Sequence, residues 1–271
     1  MKILITGATG FVGKTLQSNL SSKGYEIYPT SRRYLSNYIH FDVRILQNAK
    51  EVLQSINPDV VVNLAWNASE LNYLESKTNF HALDWNKYLY ELVADSKVKK
   101  IISAGSSIEY LKENSTIYAL TKRQDFENFE RIFGKTEIEH NWIRIFQVYG
   151  PGQPVHKFIP TLISAVKSNQ EFLLRQPLQV RDWIHVNDVA TAIENLIVYK
   201  ANSVLDIGTT IGTSNQEICE SLSSQFGLKW QIFEETQVCE VTTLIANFEK
   251  ELVNVYKSQK HIKDFLRHTL S

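Results

Sequence analysis

The chain has 271 residues, 43% hydrophobic and 21% charged, with 29 Lys and Arg against 29 Asp and Glu. That is enough chain for one compact unit with a real core or for two joined lobes. The zero net charge argues against a nucleic-acid-binding or anionic-membrane protein, where a basic excess is expected. No apolar run reaches the ~18 residues of a membrane span, and Ile3-Leu4-Ile5 is too short for a signal-peptide core. Cys219 and Cys239 lack metal-ligand or redox spacing and read as two buried free thiols, so no metal is expected and a cytoplasmic location is the default.

In chain order, Lys2–Thr6 reads as a strand, Gly13–Lys23 as a helix with Gly24 as its C-cap, and Glu26–Thr30 as a strand. A helix over Asn48–Ile56 precedes a buried strand, Asp59–Leu64. Asn79–Ser96 reads as a long helix, Lys100–Ala104 as a strand, Tyr118–Phe133 as a helix and Glu139–Phe146 as a strand. Alternating strands and helices predict an α/β fold, a Rossmann-like doubly wound parallel sheet. After Gly150-Pro151-Gly152 the pattern weakens: helices at Lys157–Ser168, Asn187–Lys200 and Ser214–Phe226, a strand at Val204–Ile207, and one or two helices within Phe248–Leu270. We expect residues 1–150 to form a dinucleotide-binding domain. Residues 151–271 then form a smaller mixed lobe that closes over the sheet, with part of 180–200 returning to the first domain.

Gly7, Gly10 and Gly13 sit between the first strand and helix, in Thr6-Gly7-Ala8-Thr9-Gly10-Phe11-Val12-Gly13. Glycines there permit a sharp turn, close approach of a pyrophosphate, and tight helix–strand packing, with the helix N-terminus facing the phosphates. Thr9, Phe11 and Val12 belong to the same turn. Arg32 and Arg33 follow the second strand, where an acidic residue would bind the ribose hydroxyls of NAD. Two guanidiniums suit a 2′-phosphate, so NADP(H) is preferred and NAD(H) is the alternative; the other reading is a pair of solvated arginines.

Tyr118 and Lys122 are four apart on one helix face. An ammonium one turn away lowers the pKa of a phenol, which then exchanges a proton with a carbonyl or alcohol oxygen. Ser106 ends the strand before them and can orient that oxygen, with Ser107 as its competitor. A surface Tyr–Lys pair and a loop serine are the plain alternatives.

Glycine turn, Ser and Tyr-x3-Lys in this order resemble the extended short-chain dehydrogenase/reductase family, the nucleotide-sugar epimerase, dehydratase and reductase group. The Gly-x2-Gly-x2-Gly spacing fits it. Asn63-Leu64-Ala65-Trp66, Asn79, Ile143–Gly152, Arg181–Ala190, Asp206-Ile207-Gly208 and Ser214 resemble its further segments, over residues 1–225. The resemblance implies that Ser106, Tyr118 and Lys122 are catalytic. It implies cofactor contacts at Asp42 (to the adenine, unless it is a turn or cap residue), Val43, Leu64, Ala65 and Asn79, with Lys122 on the nicotinamide ribose. It places a nucleotide-sugar substrate against Ser107, Gln147, Phe158 and Arg181. Phe158 reads equally as core, and Arg181 as an Arg–Asp brace. His185 reads as a structural histidine, and His156 and Lys157 have no firm role. Family members commonly dimerise through two helices, here Asn79–Ser96 and Tyr118–Phe133.

Three departures narrow the reaction. The stretch between Ser106 and Tyr118 is short, so a lid beside the sugar is curtailed. Gln147 replaces an asparagine. Ser107 and Ile108 stand where dehydratases carry an Asp-Glu pair, which disfavours dehydration. The leading expectation is an NADPH-dependent reductase of a nucleoside diphosphate-4-keto-6-deoxysugar for surface polysaccharide precursors. The alternatives are an NAD-dependent C4 epimerase and a non-catalytic dinucleotide sensor.

Overall fold

The computed structural model describes residues 1–68, 71–111, 116–233, 243–247 and 261–271. It divides into two compact units. The first comprises Met1–Ile145 with Ala190–Leu205, the second Phe146–Val189 with Asp206–Ser271.

The first unit holds a seven-stranded sheet. Its strands are β1 (Lys2–Thr6), β2 (Glu26–Ser31), β3 (Ile39–His40), β4 (Val60–Asn63), β5 (Lys100–Ser106), β6 (Glu139–Ile145) and β10 (Ser203–Ile207), in the order β10-β6-β5-β4-β1-β2-β3. The pairings β1–β2, β1–β4, β2–β3, β4–β5 and β5–β6 are parallel. The order reverses between β1 and β4, the switch point at which open α/β sheets bind ligands beyond their strand ends. The strands are near-continuous apolar runs because both faces are covered: Ile3, Leu4, Ile5, Val61, Val62, Ile101 and Ile102 are fully buried.

The covering helices are α1 (Phe11–Ser22), α2 (Leu46–Ile56), α3 (Thr78–Ala94) and α4 (Ile117–Phe133). One core cluster joins Leu89, Tyr90 and Val93 of α3 to Phe129 and Phe133 of α4 and Trp142 of β6. Each such side chain contributes roughly 1.5–3 kcal/mol on leaving water. The hydroxyl of Thr116 caps α4 by accepting from the Ala119 N–H at 3.1 Å, worth about 1 kcal/mol. That cap sets the register of the helix carrying Tyr118 and Lys122.

The second unit is mixed, and apart from Val180–His185 its strands are two or three residues long, too short to show a period in the sequence. β9 (Val180–His185) pairs in parallel with β7 (Gln147–Tyr149) and β13 (Thr243–Leu244), and antiparallel with β11 (Gly212–Ser214). β8 (Phe172–Leu174) pairs with β12 (Trp230–Ile232). Helices α5 (Phe158–Ser168), α7 (Asn215–Phe226) and α8 (Ile262–Leu270) enclose a core of Tyr149, Leu162, Trp183, Ile218, Leu222 and Leu266. α6 (Val186–Val198) carries the chain back towards the first unit's residues. Cys219 is a buried free thiol that burial pushes up to about 12. Cys239, the middle of the stretch between Ser106 and Tyr118, and most of the tail read as helical lie outside the described residues.

Candidate active site

The glycine turn comes first. Gly7 adopts φ +66° and its carbonyl accepts from the Gly10 N–H at 2.9 Å. A Cβ at Gly7 would lie 2.4 Å from the Leu64 oxygen, and one at Gly13 would lie 2.4 Å from the Gly7 oxygen. These two glycines are therefore required by packing. A Cβ on Gly10 meets only the Gly7 oxygen, at 3.1 Å, and otherwise open space. Gly10 is also the N-cap of α1 and supplies no side-chain cap, so first-turn N–H groups stay available. Glycine backbone, open space and free N–H groups fit a dinucleotide pyrophosphate. Exposed Thr9 and half-buried Phe11 and Val12 surround this cradle.

Arg32 and Arg33 follow β2 and are exposed. The Arg32 guanidinium lies over the Trp85 ring, 4.9 Å from its centre; burial and the neighbouring Arg44 both lower its affinity for its proton. Arg44 lies over the same ring at 5.5 Å. Asp42 is buried with both carboxylate oxygens on the Arg44 Nε, at 2.8 and 3.0 Å, and this partner holds its pKa below the usual carboxylate range. In this arrangement Asp42 organises the turn into α2. Val43 beside it is half-buried.

Past β4, the Leu64 N–H donates to the Thr6 oxygen at 3.2 Å and the Ala65 N–H to Asn63 Oδ1 at 3.3 Å, so both stand against the glycine turn. Asn79 is fully buried. Its Oδ1 accepts from the Trp66 Nε1 at 2.8 Å, and its amide donates to the Tyr73 and Ser76 oxygens at 2.6 and 2.9 Å. It braces the segment after β4.

Ser106, Tyr118 and Lys122 come together. Ser106 ends β5. Its hydroxyl accepts from the Ile108 N–H at 3.4 Å and lies near enough to Tyr118 to favour the ionised phenol. Ser107 opens the short 3-10 turn Ser107–Tyr110 and is half-buried. Within that turn, Glu109 accepts from the Ser106 N–H at 2.7 Å and the Arg144 Nε at 2.9 Å. The Tyr118 ring meets Tyr73 and Trp66 edge-on, with centroids 5.2 and 6.1 Å away. Lys122 is 2% exposed. Its ammonium donates to the Ala104 oxygen at 2.8 Å, pairs with Asp125 at 3.3 Å, and lies 3.6 Å from the centre of the Trp66 ring.

The electrostatics differ from the sequence expectation. Burial, then Tyr73, pushes the Tyr118 phenol well above its ordinary value, and the nearby Ser106 hydroxyl opposes that push. Desolvation is the largest influence on the phenol in the protein's own surroundings, where the Lys122 ammonium is paired with Asp125. Burial likewise lowers the proton affinity of Lys122, while Asp125 and Glu109 raise it. Tyr73, Glu109, Arg44 and Asp125 are not singled out in the sequence analysis, and Trp66 enters there only as part of the segment after the fourth strand. The Lys-x2-Asp spacing was the one available signal for Asp125, and it looks the same in an exposed helical pair.

In the second unit, Gln147 opens β7 opposite Trp183. Phe158 opens α5 and stacks on Trp183, centroids 5.6 Å apart. The Arg181 guanidinium donates to Gln179 Oε1 at 2.6 Å and the Val180 oxygen at 3.0 Å. The neighbouring Asp182 is fully buried and accepts from Thr209, Thr210 and Ala246. His185 is buried, and its Nδ1 accepts from the Asn187 N–H at 3.2 Å. Among the described residues no group of His, Cys, Asp or Glu stands ready to hold a metal, and no helix is long and apolar enough to cross a membrane.

Comparison with known proteins agrees with this architecture. CDP-abequose synthase of Salmonella muenchen is 26% identical over 83% of the chain and 80% of its own length. GDP-6-deoxy-D-talose 4-dehydrogenase of Aggregatibacter actinomycetemcomitans is 28% identical over 84% and 83%. The UDP-glucose 4-epimerase of Thermus thermophilus, solved with NAD, superposes with a TM-score of 0.84 at 18% identity, over 100% of this chain and 98% of that one. The model of the NAD dependent epimerase/dehydratase family matches residues 3–208. With that match lying on the glycine turn, the switch-point sheet and the Ser106–Tyr118–Lys122 cluster, the chain belongs to the NAD dependent epimerase/dehydratase family and is an enzyme of it.

Proposed function

We propose that the protein is an NADPH-dependent reductase of a nucleoside diphosphate-4-keto-6-deoxysugar. The observation that carries this reading is the placing of buried Lys122 one turn along α4 from buried Tyr118, with Ser106 at the end of β5 acting on the phenol. When bound, the nicotinamide supplies hydride to the C4 carbonyl carbon. Ser106 orients the carbonyl oxygen, and Tyr118 donates its phenolic proton to that oxygen as charge develops there. A phenol pushed upward by burial holds its proton at neutral pH, which suits a donor in reduction. Lys122 compensates the tyrosinate that remains and holds the nicotinamide ribose hydroxyls.

Arg32 and Arg33 support the choice of NADPH, since exposed guanidiniums after β2 suit a 2′-phosphate. Gly7, Thr9, Gly10, Phe11, Val12 and Gly13 hold the pyrophosphate, with Val43, Leu64 and Ala65 alongside. The Salmonella and Aggregatibacter relatives are named for CDP-abequose and GDP-6-deoxy-D-talose. A 4-dehydrogenase is, by reversibility, a 4-ketoreductase. Ser107, Gln147, Phe158 and Arg181 are the candidate contacts for the nucleotide sugar. The enzyme acts as a cytoplasmic homodimer through α3 and α4, which light scattering of the purified protein tests.

A second reading is favoured by one specific observation: a putative UDP-glucose 4-epimerase of Methanocaldococcus jannaschii is 23% identical over 99% of the chain. An epimerase keeps and recycles NAD. Denaturing the purified protein and identifying released nucleotide separates the two: stoichiometric NAD supports the epimerase, and empty protein that binds NADPH supports the reductase.

A further inference from the structure

We propose that Asp125 is a positioning residue for this reaction: its carboxylate anchors the Lys122 ammonium and supplies its counter-charge. The inference rests on the reading of Lys122 given above.

Asp125 lies three residues after Lys122, yet the pair is not a surface ion pair. Asp125 is 0% and Lys122 is 2% exposed. A buried charge is tolerated only when it is paired and hydrogen-bonded. Both conditions hold. Asp125 Oδ2 accepts from Lys122 at 3.3 Å and from the Asn86 amide at 2.9 Å, while Oδ1 accepts from the Tyr90 hydroxyl at 3.1 Å. The pattern continues through Ser103, 2.8 Å from the Tyr90 hydroxyl, to the Asn63 amide at 3.0 Å, and from Asn63 Oδ1 to the Thr6 hydroxyl at 2.6 Å. This buried chain joins α4, α3, β5, β4 and β1, and it ends one residue before the glycine turn. Such fully connected networks fix geometry.

Lys122 is thereby held on three sides: by the Ala104 oxygen, by Asp125 and by the Trp66 ring. The other groups facing it are few. Tyr118 lies one turn back on α4. Glu109 faces it from the 3-10 turn and is itself paired with Arg144 of β6. Tyr90 of α3 donates to Asp125, Tyr73 faces Tyr118, and the Trp142 ring lies 5.7 Å from the ammonium. Asp125 is thus the one carboxylate in direct contact with Lys122 among the described residues.

The test measures NADPH affinity, by fluorescence of the reduced nucleotide, in wild type, Asp125→Asn and Lys122→Met. The titration runs from about pH 6 to about pH 10, a span reaching the ordinary lysine value of about 10.4. Without its counter-charge a buried ammonium gives up its proton more readily. Asp125→Asn is expected to lose affinity as pH rises, with an inflection about one unit or more below that of wild type and a loss of about tenfold at the alkaline end. A pH dependence equal to that of wild type, or a uniform loss at every pH, overturns the proposal. If Lys122→Met binds NADPH as wild type does, the reading of Lys122 itself fails, and the proposal with it. Should Asp125→Asn not fold, Tyr90→Phe replaces it, leaving Oδ1 without its donor. A smaller inflection shift in the same direction supports the proposal, and no shift overturns it.

Discussion

The Lys122 ammonium sits 3.6 Å from the centre of the Trp66 ring, and the Trp66 N–H is tied at 2.8 Å to Asn79. A desolvated cation–π contact contributes about 2 kcal/mol. Trp66→Leu is expected to lower the unfolding free energy by about that amount in urea denaturation, and Trp66→Phe, which keeps a ring, by less. Equal stability of Trp66→Leu and wild type would show that the contact contributes nothing.

The glycines of the turn separate into two kinds. A Cβ at Gly13 would lie 2.4 Å from the Gly7 oxygen, whereas one at Gly10 meets that atom at 3.1 Å and otherwise open space. Gly13→Ala is expected to lower the melting temperature by several degrees, about 1–3 kcal/mol of overpacking. Gly10→Ala is expected to melt near wild type yet lose about tenfold in NADPH affinity, because its methyl group fills the phosphate cradle. The reverse pattern contradicts the assignment.

Cofactor choice is tested at Arg32 and Arg33. Replacing either with Ala should weaken NADPH binding about tenfold and leave NADH binding nearly unchanged. The NADPH effect should shrink as salt rises, since exposed guanidiniums are screened. Parallel losses for both nucleotides would place these arginines elsewhere.

Acid stability carries the mark of Asp42. Arg44 holds its folded pKa below the ordinary value, so its contribution is present above about pH 4 and is lost as pH falls through the lower, folded pKa. In Asp42→Asn that contribution is absent at neutral pH, and stability should fall less steeply below about pH 4 than in wild type. Urea midpoints measured across the acid range check it; identical slopes would contradict it.

Much of the first unit is legible from residue order. Val60–Asn63 and Lys100–Ser106 announce themselves as short apolar runs bounded by turns, and the glycines follow the first strand directly. The clustering of Ser106, Tyr118 and Lys122 follows from strand-end and helix spacing. Other features leave no local trace. β7, β8, β11 and β12 are three residues each, too short to show a period. Asp125 looks like an exposed partner of Lys122 until burial is known. Trp66 reaches the site only because Asn79, thirteen residues on, holds its ring in place. The direction of the Tyr118 shift depends on desolvation, which spacing alone does not report.

The central claim is proton donation by Tyr118 in reduction of a 4-keto nucleotide sugar. The direct test mixes enzyme and NADPH with 4-keto-6-deoxyhexoses linked to CDP, GDP or dTDP and follows loss of NADPH absorbance. Wild type is predicted to consume NADPH with one of them. Tyr118→Phe should lose a factor on the order of 100 or more in rate while binding NADPH nearly as before. Undiminished turnover by Tyr118→Phe, or no NADPH consumption by wild type together with tightly held NAD, would contradict it.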